Sequence, residues 1–220
     1  MSSVQPSPST FGTAAYGGDN WSQRERTHQQ EIGSLWGACG IDSEWRTLKS
    51  VLVHTPGQEL ATSQHDPDSV QMLAPVDTGK AREEHAAMIE AYRHAGVAVY
   101  QTEPDLPCPP NQMFCADLFA MTPQGAILAR PASTVRAGEE RWIARRLAAL
   151  GVPILKTLTG TATFEGADLM WLDEKTAMIS RGPRTNQAAI DQIAALFTEL
   201  GIETFAADIP YGTMHFMGLL

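Results

Sequence analysis

Three acids stand where acids are costly. Asp117 interrupts the apolar run over 113–121, and Glu165 and Asp168 open the apolar segment FEGADLMWL at 164–172. A carboxylate in such company is unfavourable unless it is paired. Asp117 alone is explained as well by a turn cap as by a function. Glu165 and Asp168, at the start of a buried element, are harder to read as solvated surface. If the three converge they repel one another, and a cation relieves that. A guanidinium suits best, because its planar fork of donors matches carboxylates in bidentate fashion. A divalent metal is the competing partner. Metal-ligand spacings such as DxDxDG or HExxH are absent, so the reading is of no metal.

Two further polar clusters matter. SRGPRTNQ at 180–187 puts Arg181 and Arg184 between a strand and a helix N-terminus, where free N–H groups also attract anions. From this segment alone, an exposed loop arginine is the simpler explanation. GTMHFMGLL at 212–220 places His215 among Met and Phe. A lone histidine there is usually a satisfied core residue, and it becomes an acid/base group only as a partner to the acids. Cys39, Cys108 and Cys115 form no CxxC pair. That argues against a disulfide framework or a zinc cluster and fits a reducing, cytoplasmic compartment. Cys115, two residues from Asp117 on an expected strand, would share its face. The plainer reading is a small buried filler.

Positioning these residues requires a scaffold, and the scaffold is written as a repeat. Apolar strands are expected at VLVHTP (51–56), AILARP (126–131) and AMISRGP (177–183), each ending near a proline. Helix-to-strand joins follow at HAGVAVY (94–100), ALGVPIL (149–155) and ELGIETF (199–205), with Gly96, Gly151 and Gly201 as left-handed caps. Between them, 80–95, 138–150 and 186–200 show helical spacing of apolar residues, with Asn186 as an N-cap. Extra strands at 113–121 and 168–172 are expected to form hairpins with 125–130 and 176–180. The unit is strand, strand, helix, strand, and the class is α/β.

Composition sets the outer limits. The 220 residues carry a net charge of −9 with no basic stripe, which excludes a nucleic-acid footprint. No apolar run approaches the roughly 20 residues of a membrane span. Residues 1–30 are rich in Ser, Pro, Gly and Thr and read as a disordered tail. Residues 31–220 read as one domain.

The order PN-x-x-F-x-x-D, R-x-x-E, E-G-x-D, R-T-N and M-H resembles the arginine deiminase, amidinotransferase and dimethylargininase superfamily. Here it is carried by Pro110-Asn111, Phe114, Asp117, Arg136, Glu139, Glu165, Asp168, Arg184-Thr185-Asn186 and Met214-His215. VLVHTPGQEL at 51–60 resembles the family's opening strand and Glu84-His85 its first-helix motif. The resemblance implies a radial α/β propeller of five ββαβ modules, of which three to three and a half are expected here. It implies that Asp117 and Asp168 hold a guanidinium and that Glu165 and His215 form the acid/base pair. Arg136 and Arg184 would hold the carboxylate of a substrate such as arginine, and Asn111 would also contact that substrate. A cysteine thiolate attacks the guanidinium carbon in this family, and no metal or organic cofactor is needed. That cysteine belongs to a final module, so it is expected beyond Leu220. Ala116 and the HFM at 215–217 depart from the family's R-D and H-x-D. The activity implied is an arginine deiminase- or dihydrolase-like hydrolysis. Amidino transfer to an amine and a non-catalytic ligand- or partner-binding fragment are the alternatives. Unpaired sheet edges would invite a second copy of the chain or a complementing chain.

Overall fold

The computed structural model describes residues 10–104 and 107–219. Residues up to Glu31 and residues from Ile32 onward form two separate compact units. In the first, residues 1–9 of the expected tail lie outside the described residues. The remainder carries a 3-10 turn at Ala14–Tyr16 and a short helix, α1 (His28–Glu31), whose Glu31 is buried and accepts a hydrogen bond from Arg24 Nε at 2.6 Å.

The second unit is built from three modules. In the first, β1 (Ser50–Val53) pairs in parallel with β2 (Ala98–Gln101) across α2 (Thr78–His94). In the second, β3 (Phe119–Thr122) and β4 (Gly125–Leu128) form a hairpin. After α3 (Glu140–Ala149), β5 (Ile154–Thr157) joins β4 in parallel. The third repeats this with β6 (Leu169–Asp173), β7 (Thr176–Arg181), α4 (Gln187–Glu199) and β8 (Glu203–Asp208). The strand, strand, helix, strand order read from the sequence is therefore present in both.

Local chemistry explains the repetition. Asp77 and Asn186 cap α2 and α4, accepting from the N–H groups of Lys80 and Ala189 at 3.0 and 3.1 Å. The helices of all three modules, α2, α3 and α4, end in one device. Gly96, Gly151 and Gly201 take φ of 76°, 72° and 72°. The next residue's N–H then donates five residues back, Val97 to Tyr92, Val152 to Leu147 and Ile202 to Phe197, at 2.8–2.9 Å. Trp142, Ile143 and Leu147 of α3, and Ile190, Ile193 and Phe197 of α4, turn their buried faces onto the sheets. Phe164, Ile127 and Ile179 fill the core between modules two and three.

One expectation is corrected. Asp117 and Asp168 do not lie in strands. Each closes a one-turn 3-10 helix, Cys115–Asp117 and Gly166–Asp168, just before β3 and β6. A third such turn, Phe216–Gly218, follows His215. The turns share a register: Phe114, Glu165 and His215 precede them and Asp117, Asp168 and Gly218 end them. Their packing is tight. A Cβ on Gly166 would lie 2.2 Å from Phe119 O and 2.5 Å from Ala116 O, so only glycine lets the first two turns approach.

Candidate active site

The three turns bring Asp117, Glu165 and His215 together. His215 Nε2 lies 2.7 Å from Glu165 Oε2 and 3.7 Å from Asp117 Oδ1. Glu165 is fully buried. Its Oε1 accepts from Ala132 N–H at 3.3 Å and faces Arg184 Nη1 at 3.4 Å. Burial would lift the Glu165 carboxyl, but the His215 hydrogen bond and the charges of Arg136 and Arg184 outweigh it and hold it below its ordinary value. Burial would lower His215, but the Glu165 hydrogen bond and the charges of Asp117, Glu165 and Asp168 raise it. Both shifts favour imidazolium beside carboxylate.

The cation among the acids is the chain's own. Arg136 is only 4% exposed. Its Nη1 reaches Asp117 Oδ2 at 2.6 Å and Glu165 Oε2 at 3.3 Å, and its Nε donates to Glu139 Oε2 at 2.9 Å. In this structure the guanidinium faces its own acidic neighbours, with Nη2 also 2.9 Å from Glu139 Oε2, and neutralises them. Asp117, Glu165 and His215 also offer ligand atoms within 4.8 Å of one another, but Arg136 already stands between the two acids where a metal would.

Asp168 and Asn111 likewise sit differently from expectation. Asp168 is fully buried, accepting from Ser180 Oγ at 2.7 Å, Thr185 Oγ1 at 2.6 Å and Phe216 N–H at 3.2 Å. Those bonds fix the turn after His215 and leave the carboxylate no surface for a guanidinium. Burial raises its pKa, and the three donors offset only part of that. Asn111 is buried and donates to Val70 O at 2.9 Å, anchoring its own loop. Arg184 keeps 20% of its side chain exposed at the edge of the cluster.

Glu139, which the sequence marks only as the end of the R-x-x-E motif, completes the site one turn after Arg136. It is fully buried, and its Oε1 has no hydrogen-bond partner among the described residues. Burial pushes its pKa up to about 7; Arg136 opposes this, and the charges of Asp117 and Glu165 add to it.

Neither nearby thiol is an activated nucleophile. Cys115 belongs to the 3-10 turn before β3, not to a strand face shared with Asp117. Its sulfur lies 3.5 Å from Gln112 O, and burial with the charges of Glu139 and Asp117 pushes it up to about 12. Burial and the Glu59 carboxylate push Cys108 up to about 11.

The family described as eukaryotic N,N-dimethylarginine dimethylhydrolase matches residues 60–215. The chain belongs to this family. It is similar to the N(G),N(G)-dimethylarginine dimethylaminohydrolase of Streptomyces coelicolor, at 28% identity over 134 residues, 61% of this chain and 51% of that protein. Among solved structures it resembles a mutant dimethylarginine dimethylaminohydrolase of Pseudomonas aeruginosa complexed with citrulline. The TM-score is 0.66 at 23% identity, covering 77% of this chain and 64% of that one. It also resembles the N-terminal domain of a cyanobacterial arginine dihydrolase bound to its substrate, with TM-score 0.61 at 15% identity, covering 73% and 58%. The modules thus have the α/β-propeller fold of guanidino-modifying proteins. The chain spans about half the length of the curated relative. Among the described residues no helix is long and apolar enough to cross a membrane.

Proposed function

We propose that this chain supplies the guanidinium-binding acid and the acid/base pair of a hydrolase acting on arginine or an N-methylated arginine. The observation that carries this is the 2.7 Å contact of His215 Nε2 with Glu165 Oε2, with Asp117 Oδ1 facing the same nitrogen. Asp117 Oδ1, the oxygen that Arg136 leaves unused, holds the substrate guanidinium. Arg136 and Glu139 keep that carboxylate in place. His215, kept protonated by Glu165, gives its proton to the departing amine and then takes one from the attacking water. The thiolate that forms the covalent intermediate comes from outside residues 1–220, because Cys108 and Cys115 hold their protons and Cys39, which precedes the first module, is likewise raised by burial. Arg184, partly exposed at the edge, takes the substrate's α-carboxylate.

Calorimetric titration tests the reading. The chain is expected to bind N,N-dimethylarginine, with Asp117→Asn weakening binding at least about tenfold through loss of a charge-assisted contact. Arg184→Ala should weaken L-arginine more than agmatine, which lacks the carboxylate. Unchanged affinity in Asp117→Asn overturns the guanidinium assignment. Steady citrulline production by residues 1–220 alone overturns the assignment of the thiolate.

A further inference from the structure

A second polar cluster joins the first module to the loop that follows it. His54 follows β1, Glu59 lies in the 3-10 turn Gln58–Gln64, and Cys108 stands in Pro107-Cys108-Pro109-Pro110. His54 is 4% exposed. Its Nε2 lies 3.2 Å from Glu59 Oε1 and 3.7 Å from Cys108 Sγ, and the three ligand atoms lie within 4.8 Å of one another. We infer that His54 Nε2, Glu59 Oε1 and Cys108 Sγ form a three-ligand site for a zinc-class divalent cation, with the fourth position open.

Geometry separates this from a catalytic relay. In a relay the thiol and the acid bind opposite ring nitrogens, so that a proton crosses the imidazole. Here both converge on Nε2, and the far nitrogen, Nδ1, is taken by Thr102 Oγ1 at 2.6 Å. That contact orients the ring as the outer partner of a metal-bound histidine does. The spacing also fits. Bonds of about 2.0–2.3 Å in a tetrahedron give ligand–ligand edges of about 3.3–3.6 Å, close to the two observed distances. Glu59 Oε1 is held by Gly57 N–H at 2.6 Å, which fixes its direction. Nitrogen, oxygen and sulfur donors together suit zinc, which accepts all three. As the metal–sulfur bond forms, Cys108 releases its thiol proton to solvent. The ligands come from three chain segments, so the ion would tie the proline-rich loop, which leads into Asn111 and Asp117, to the end of β1. No short motif could announce such a site.

Cobalt(II) is the probe. Metal-free protein titrated with cobalt should bind one equivalent with a near-ultraviolet thiolate-to-cobalt charge-transfer band and the intense visible bands of tetrahedral cobalt, both erased by zinc. Cys108→Ser should abolish the charge-transfer band, while His215→Ala, in the sulfur-free cluster, should keep it. Thr102→Val, a change at a positioning residue, should retain the band but weaken affinity about 10- to 100-fold. If Cys108→Ser fails to fold, Glu59→Gln carries the test and should weaken zinc by roughly tenfold or more in competition with a chromophoric chelator. No charge-transfer band in the unmodified protein, a band that survives Cys108→Ser, or unchanged affinity in Glu59→Gln would overturn the site.

Discussion

Replacing Arg136 with methionine leaves Asp117, Glu139 and Glu165 buried together without their shared counter-ion. Arg136 Nη1 is 2.6 Å from one carboxylate and 3.3 Å from a second, and Nε is 2.9 Å from the third. Removing one partner of a buried ion pair costs about 3–5 kcal/mol, because the charge left behind stays desolvated. With a urea slope of about 3 kcal/mol/M, the unfolding midpoint should fall by roughly 1–2 M at pH 8. The sign with pH is fixed. Without Arg136 the acids' native pKa values rise, so the native state binds more protons than the unfolded chain and the deficit shrinks as pH falls. Urea denaturation followed by circular dichroism at pH 8 and pH 5 measures both effects. A loss below about 1 kcal/mol at pH 8, or a deficit that grows on acidification, would refute the view that Arg136 is the internal counter-ion.

Three further outcomes are expected. Glu139, raised to about 7, binds a proton in the native state that the unfolded chain has lost, so its contribution to stability declines as pH rises from about 4.5 to about 7. Glu139→Gln should flatten that window, and denaturation curves across it provide the check. The His215 imidazole should titrate above its ordinary value by NMR and fall towards it in Glu165→Gln. The stability that this pair adds is fully present below about 6.5 and lost as pH rises through the raised value. Gly166→Ala should destabilise by about 1–3 kcal/mol or more, since a methyl cannot fit 2.2 Å from Phe119 O, and thermal melting will show it.

The modules are legible in the sequence because their signals are periodic or stereochemical. The apolar faces of α3 and α4, and the glycines at 96, 151 and 201, each state a local requirement that the fold keeps. The acids are marked by their type, but the element that carries them is not legible. A three-residue 3-10 turn has no period, so Asp117 read as part of the following strand. The direction of the Arg136 fork is a tertiary fact, since its partners lie 3, 19 and 29 residues away. Asp168 could be marked as a buried acid, but its satisfaction by Ser180, Thr185 and Phe216 depends on strands and turns meeting. His54, Glu59 and Cys108 were hidden for the same reason.

The shared register of the three turns gives the site a simple geometric rule. Glu165 and His215 occupy one equivalent position in successive copies, as Phe114 does in the copy before. Duplicating a module and closing it around a common axis sets equivalent positions side by side before any chemistry exists. An acid at that position in one copy and an imidazole in the next then stand within hydrogen-bond distance with no new backbone. An asymmetric cluster can arise in this way from repeated modules, by differences of side chains alone.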